Sequence, residues 1–219
     1  CMQLSQEVVE HSPLYIVSKR EYYDTTSVQR RMYAMQQFEN MQVTYNMPTA
    51  HIYEGAMDIE RLIWSLKEMV RRHESLRTSF GIVDGKVVQY IHEDVLFKVG
   101  VESVAEANVD AAIHGFVRPF DLSVAPLMRV KILKVNDEKH IILRDIHHII
   151  TDGTSEGIFW DELFKLYNGE ELSELKYQYK DYAAWQSEQE GTVRWQEGEK
   201  YWLEQLSGEL PVLEMHTDY

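Results

Sequence analysis

The chain has one cysteine, at position 1, so no internal disulfide can form; this scarcity fits a reducing compartment. Cys1 stands before Met2 and is assigned no function. There is no HExxH and no paired CxxC, so the common zinc arrangements are missing and no metal is expected. No apolar run is long enough to cross a bilayer, and no signal-peptide pattern is present. A soluble, cytoplasmic protein without a membrane partner is therefore expected. Positive charge is scarce: 22 Lys and Arg against 36 Asp and Glu leave a net charge of −14, which argues against nucleic acid as a partner. Internal repeats and low-complexity linkers are lacking too. With 44% hydrophobic residues over 219 positions, a substantial core can form.

The most informative segment present is His147-His148-Ile149-Ile150-Thr151-Asp152-Gly153. The apolar, β-branched run Lys139 to Ile146 before it predicts a strand. The segment Thr154 to Tyr167 after it predicts an amphipathic helix, with Ile158, Phe159, Leu163 and Leu166 on one face. The motif thus sits on a strand-to-helix turn, beside the free N–H groups of a helix start. Adjacent strand residues point to opposite faces, so one histidine can face a cavity while the other is buried and hydrogen-bonded. Two such histidines do not converge on one metal ion. For an arbitrary histidine pair, a satisfied core role is the commoner outcome. The Asp152-Gly153 pair and the following helix shift the balance toward chemistry.

Elsewhere, residues 1–20 predict an extended lead-in containing Pro13. A first helix is expected from an N-cap at Ser27 to Glu39. A strand follows over Thr44 to Tyr53, and then a second helix from an Asp58 N-cap to Ser75. That helix carries Ile59, Leu62, Ile63, Leu66, Met69 and Val70 on one stripe. Thr78–Val83 and Lys86–Ile91 predict a hairpin closed by Asp84-Gly85. Val109–Val117 predicts a short helix, and Leu127–Val135 with Lys139–Ile146 a second hairpin. Three more helical stretches follow, over 154–167, 178–189 and 194–206. Together these predict an α/β fold, a two-layer sandwich of a mixed sheet covered by helices. Tyr182, Trp185, Trp195, Tyr201 and Trp202, at helical spacing, are expected in core packing or at a contact between lobes rather than around a ligand.

The heptad His147-His148-x-x-x-Asp152-Gly153 resembles the HHxxxDG signature of the superfamily that contains chloramphenicol acetyltransferase and the condensation domains of nonribosomal peptide synthetases. Arg72-His73-Glu74-Ser75-Leu76-Arg77-Thr78-Ser79-Phe80 matches the condensation-domain RHExLRTxF motif at every fixed position. Ser27-Val28-Gln29-Arg30-Arg31-Met32-Tyr33 resembles SxAQxRMY, with Val28 where alanine is usual. Tyr179-Lys180-Asp181-Tyr182-Ala183-Ala184-Trp185 resembles YxDFAxW, with Tyr182 for phenylalanine. Phe120-Asp121-Leu122 followed by Pro126-Leu127-Met128-Arg129 is also similar to a family segment. The motifs come in the family's order. Chloramphenicol acetyltransferase itself carries HHxxxDG close to its C-terminus, whereas here the chain runs on from Gly153 to Tyr219.

A full condensation domain has two similar lobes. The resemblance implies that residues 1–219 are its N-terminal lobe, with the C-terminal lobe absent from the chain and Leu210 to Asp218 similar to the passage out of the first lobe. It implies an acyltransferase that joins an acyl or peptidyl thioester on an upstream peptidyl carrier to the α-amine of an aminoacyl group on a downstream carrier. No cofactor is held directly; carrier domains deliver their 4′-phosphopantetheine arms. The other implied partners are the C-terminal lobe and the adenylation domain of the same synthetase. The reaction centre is expected between the lobes, which leaves the activity of one lobe alone open.

By the same resemblance His148 faces the tunnel, orienting the amine and in part acting as base. Asp152 is expected in a buried salt bridge to Arg77. Gly153 is expected to allow a tight turn, leave room for the thioester and offer its N–H to the oxyanion. His147 should hold the turn through a side-chain hydrogen bond, and Arg72 should pack or pair rather than touch substrate. Lys19-Arg20, Arg30-Arg31 and Arg71-Arg72 are expected as solvated surface charge ahead of carrier docking. The alternatives are an epimerisation domain, which shares HHxxxDG, and an inert condensation-like docking module. A heterocyclisation domain would replace HHxxxDG with DxxxxD. Thr154, where many relatives carry tryptophan, leaves the acceptor preference open.

Overall fold

The computed structural model describes residues 13–38 and 41–212. Its spine is strand β7 (Lys139–His147), which pairs antiparallel with β2 (Asn46–Glu54) on one side and β6 (Met128–Asn136) on the other. Strand β5 (Val99–Ser103) adds in parallel to β6, giving a four-stranded mixed sheet in the order β2-β7-β6-β5. A strand covered on both faces needs apolar side chains on both, and this is why β7 reads as a run rather than an alternation.

Ile142 and Ile146 point with Val130 and Ile132 toward helices α2 (Ile59–Arg72) and α4 (Gly153–Asn168). Those helices supply Leu62, Leu66 and Met69, and Phe159 and Leu163, to the main core. Each such fully buried side chain contributes about 1.5–3 kcal/mol. Ile141 and Leu143 point the other way, with Leu133 and Phe116, and are covered by helix α3 (Val109–His114). The hairpin β3 (Thr78–Val83) and β4 (Lys86–Ile91) forms a second sheet with the short strand β1 (Tyr23–Asp24), in the order β1-β4-β3. Asp84 and Gly85 both take positive φ, 50° and 77°, the requirement of a two-residue turn whose twist matches the strands.

Several expected boundaries move. Helix α1 (Ser27–Gln36) is capped by Thr26, not Ser27. Thr26 Oγ1 accepts from the Gln29 N–H at 3.2 Å and Gln29 Oε1 from the Thr26 N–H at 3.0 Å. This reciprocal box places Ser27 inside the helix. The far end of that prediction, Glu39, lies outside the described residues, as do the lead-in before Pro13 and the chain after Val212. Helix α2 stops at Arg72 rather than Ser75. His73 is extended, at φ −98° and ψ 110°, and a 3-10 turn runs over Glu74–Arg77. Gln178 bridges this break, donating to the Arg72 carbonyl and accepting from the Glu74 N–H, each at 3.0 Å. Strand β2 starts at Asn46, and β5 has no counterpart among the expected elements.

Helices α5 (Tyr179–Gln189) and α6 (Val193–Gln205) close the described chain. Core packing does not account for the aromatic residues of α6. Trp195, Tyr201 and Trp202 are 41%, 53% and 60% exposed, and α6 buries no residue. A helical stripe is buried only where an opposing surface exists, and among the described residues α5 gives α6 only a partial one, an open groove lined by Trp185, Trp195 and Trp202.

Candidate active site

Strand β7 delivers the two histidines into different surroundings. His147 is its last residue and is fully buried, between Phe120 and Tyr45 at ring distances of 6.1 and 6.2 Å. Its Nδ1 accepts the Ile149 N–H at 3.0 Å, so the proton of the neutral ring sits on Nε2, 3.3 Å from Gln36 Oε1. Burial, followed by the neighbouring His148, lowers its pKa to about 4. His148 opens a 3-10 turn over His148–Ile150 and is half-buried. Its Nδ1 lies 2.8 Å from the Thr151 carbonyl. A carbonyl can only accept, so Nδ1 carries a hydrogen, and in the neutral ring the lone pair then lies on Nε2. In their neutral forms the two neighbouring rings thus hold opposite tautomers, one fully buried and one half-buried.

The turn is clamped from several sides. The His147 N–H donates to Leu127 O at 3.0 Å and the His148 N–H to Tyr45 O at 2.8 Å. Gln29 of α1 donates from Nε2 to Ile149 O at 3.3 Å. Arg144 on β7 is buried, pairs with Glu156 in the first turn of α4, and lies 4.6 Å from the centre of the Phe159 ring. That pair ties together the two elements that flank the motif. The strand run HIILRDIH carried the signal: a charge inside a buried strand needs a partner.

Asp152 departs from expectation. Its side chain is exposed and caps α4, accepting the Ser155 N–H and hydroxyl, both at 2.8 Å. The Ser155 N–H first, and then its hydroxyl, hold the carboxyl below the usual carboxylate range. Arg77 is not its partner; Arg77 lies 3.8 Å from Glu74 and donates to the His92 carbonyl. A serine three residues on from the acid outcompetes a distant arginine because the cap closes locally, at little cost in order. Arg72 forks onto Glu162 at 2.9 and 3.1 Å, where His73 Nε2 also meets it at 2.7 Å. Gly153 begins α4 without a positive φ, and a Cβ added there meets no atom within 4 Å. No tight turn requires this glycine. Of the basic clusters, Lys19, Arg30, Arg71 and Arg72 each pair with a glutamate.

Neutral burial of His147 makes stability pH-dependent. Above its ordinary value of 6.5 both folded and unfolded states hold it neutral. Between 6.5 and about 4 only the unfolded chain takes up the proton, so stability falls with acidity. The loss reaches about 3 kcal/mol near pH 4, at roughly 1.4 kcal/mol per unit. His147→Asn keeps an acceptor for the Ile149 N–H and does not titrate. Urea unfolding from pH 7 to 4.5 should therefore fall less steeply in the variant, and equal slopes would remove His147 as the cause.

A family model described as the condensation domain matches residues 19–219. Gramicidin S synthase 2 of Brevibacillus brevis is 43% identical over 203 residues, covering 93% of this chain and 5% of that protein. Surfactin synthase subunit 2 of Bacillus subtilis (strain 168) is 46% identical over 209 residues, covering 95% and 6%. Among solved structures, the complex of the X-domain and OxyB from teicoplanin biosynthesis aligns at a TM-score of 0.84 and 23% identity, over 95% of this chain and 48% of that one. The starter condensation domain of the rhizomide synthetase aligns at 0.75 and 20%, over 87% and 49%. This chain spans about half the length of these structures and a few per cent of the curated relatives. No described helix is long and apolar enough to cross a membrane. With the HHxxxDG turn at the end of a buried strand and the family match running from residue 19 to residue 219, the chain belongs to the condensation-domain family.

Proposed function

We propose that this chain is the N-terminal, histidine-bearing lobe of a domain that forms peptide bonds in nonribosomal peptide synthesis. The observation that carries the proposal is the tautomer of His148: Nδ1–H is held by the Thr151 carbonyl, which in the neutral ring leaves the lone pair on Nε2, in a half-buried side chain. A lone pair so placed accepts a hydrogen bond from an attacking α-amine. The amine nitrogen bonds to the thioester carbonyl carbon, the C–S bond breaks, and the amine proton passes by way of Nε2 to the departing sulfur, so that the upstream carrier arm leaves as its thiol.

An α-amine has a pKa near 8, so a neutral fraction exists at pH 7 without a strong base. Holding the amine in line contributes several kcal/mol, and proton removal adds to it. The Gly153 N–H, at the first position of α4, is a donor for the oxyanion, and the open space at that glycine leaves room for the thioester. His147 and the Arg144–Glu156 pair hold the turn, Arg72 ties the end of α2 to α4 through Glu162, and Arg77 supports the segment after α2. Asp152 acts through the start of α4. The substrates arrive on 4′-phosphopantetheine arms of upstream and downstream carrier domains, the acceptor loaded by the adenylation domain of the same synthetase. The exposed aromatic face of α6 is where the second lobe of the domain packs.

The test supplies the complete domain containing this chain with a donor-loaded and an acceptor-loaded carrier. Mass spectrometry should find the new amide on the downstream arm. Loaded carriers that yield no amide in the presence of the intact domain would refute the proposal.

A further inference from the structure

Between the end of α2, the His148 turn and α4 lies a cavity of about 110 Å³. Met69, Leu76, Ile146, Ile150 and Phe159, all buried, form its floor. Ser75, Thr151, Ser155 and Ile158 stand at its rim, and Ile158 is 47% exposed. None of the buried polar atoms that lack a partner among the described residues belongs to this lining. Two of the polar side chains in the lining are committed elsewhere. Ser155 bonds Asp152, and His73, also in the lining, meets Glu162. The buried floor of the cavity therefore makes no demand for a polar occupant.

Its size sets the class of group that fits. A dry aliphatic cavity of about 150 Å³ accepts a benzene ring. One somewhat smaller and open at one side suits an isopropyl or isobutyl group and excludes an indole. Its position ties it to the chemistry. The Thr151 carbonyl that fixes the His148 tautomer belongs to a lining residue, and Ile146 and Ile150 lie on either side of the two histidines. Ile158 faces the mouth although Phe159 and Leu163 already supply the packing of α4.

We infer that this cavity is the subsite for an aliphatic side chain, of valine to leucine size, on one of the two groups that the domain joins. The inference rests on the condensation proposal for the site, but its test does not need turnover. The chain, labelled at isoleucine and methionine methyls, is titrated at millimolar concentration with two leucyl probes: the N-acetylcysteamine thioester of N-formyl-leucine as donor mimic, and leucinamide as acceptor mimic. The matching glycyl probes serve as controls. The methyls of Ile146, Ile150, Ile158 and Met69 should shift with a leucyl probe and not with its glycyl partner. A response to the thioester alone assigns the donor side chain, and one to the amine alone the acceptor.

Ile158→Trp narrows the mouth from a half-exposed position and should weaken leucyl binding about tenfold or more, the order of discrimination one small apolar group gives. Ile158→Ala should instead admit a phenylalanyl probe. Methyls that ignore the leucyl probes, or that respond equally to glycyl ones, overturn the subsite and leave the condensation proposal standing. A bound leucyl probe, in an intact domain that yields no amide from loaded carriers, would leave the subsite and remove that proposal.

Discussion

His148→Ala lowers amide formation by the complete domain about 10²–10⁴-fold, the range that one well-placed acid–base group supplies, with the melting temperature nearly unchanged. The separation of the two effects follows from the site. The His148 ring is half-buried rather than part of the main core, and its one hydrogen bond among the described residues runs to a carbonyl three positions on. The backbone of the turn is held independently, by the His148 N–H on Tyr45 O and by Gln29 on Ile149 O. His148→Gln separates orientation from proton transfer, because an amide accepts a hydrogen bond but does not take a proton at neutral pH. If holding the amine is the larger contribution, glutamine recovers part of the rate. If proton removal is, glutamine resembles alanine, and raising the pH toward the amine pKa narrows the gap to wild type. Wild-type turnover in His148→Ala would take the imidazole out of the reaction.

What the sequence disclosed depended on how local the determining interaction is. The Asp84-Gly85 turn could be placed because two positive φ angles in succession select few residues. The apolar stripe of α2 and the buried run of β7 reflect one-sided and two-sided burial, and both leave direct marks in composition. The division of the two histidines followed from alternation along a strand, although the outward one proves to sit on a 3-10 turn just past the strand end. The failures are non-local. Val99–Ser103 is a largely exposed edge strand that joins β6 in parallel, and its short sequence shows neither alternation nor a buried run. The stop of α2 at Arg72 depends on Gln178, more than a hundred residues away. Asp152 as an N-cap was open to the sequence, since Asp at the head of an amphipathic helix is a common cap, but the resemblance drew it toward Arg77. The aromatic stripe of α6 was legible as a stripe; the described residues leave it largely exposed.

The largest loss of stability should come from Glu156→Ala, not from Asp152. Removing the carboxylate leaves the Arg144 guanidinium charged, 1% exposed and in contact with Phe159 rather than water. Breaking a buried pair from one side in this way costs about 3–5 kcal/mol. Asp152 is exposed and gives up a helix cap, so Asp152→Ala should cost about 1 kcal/mol. The pair is also incompletely satisfied. Arg144 Nε and Nη1 and Glu156 Oε1 are buried without partners among the described residues. Replacing both members with apolar side chains of similar volume, Arg144→Met together with Glu156→Leu, should therefore recover most of the loss, because no uncompensated charge is left. Denaturant unfolding of the single and double variants gives the coupling between them. Equal losses for Glu156→Ala and Asp152→Ala would show that Arg144 finds another partner on unpairing. A double variant that regains stability but still condenses slowly would show that the pair sets the placement of the His148 turn between β7 and α4, beyond holding the two elements together.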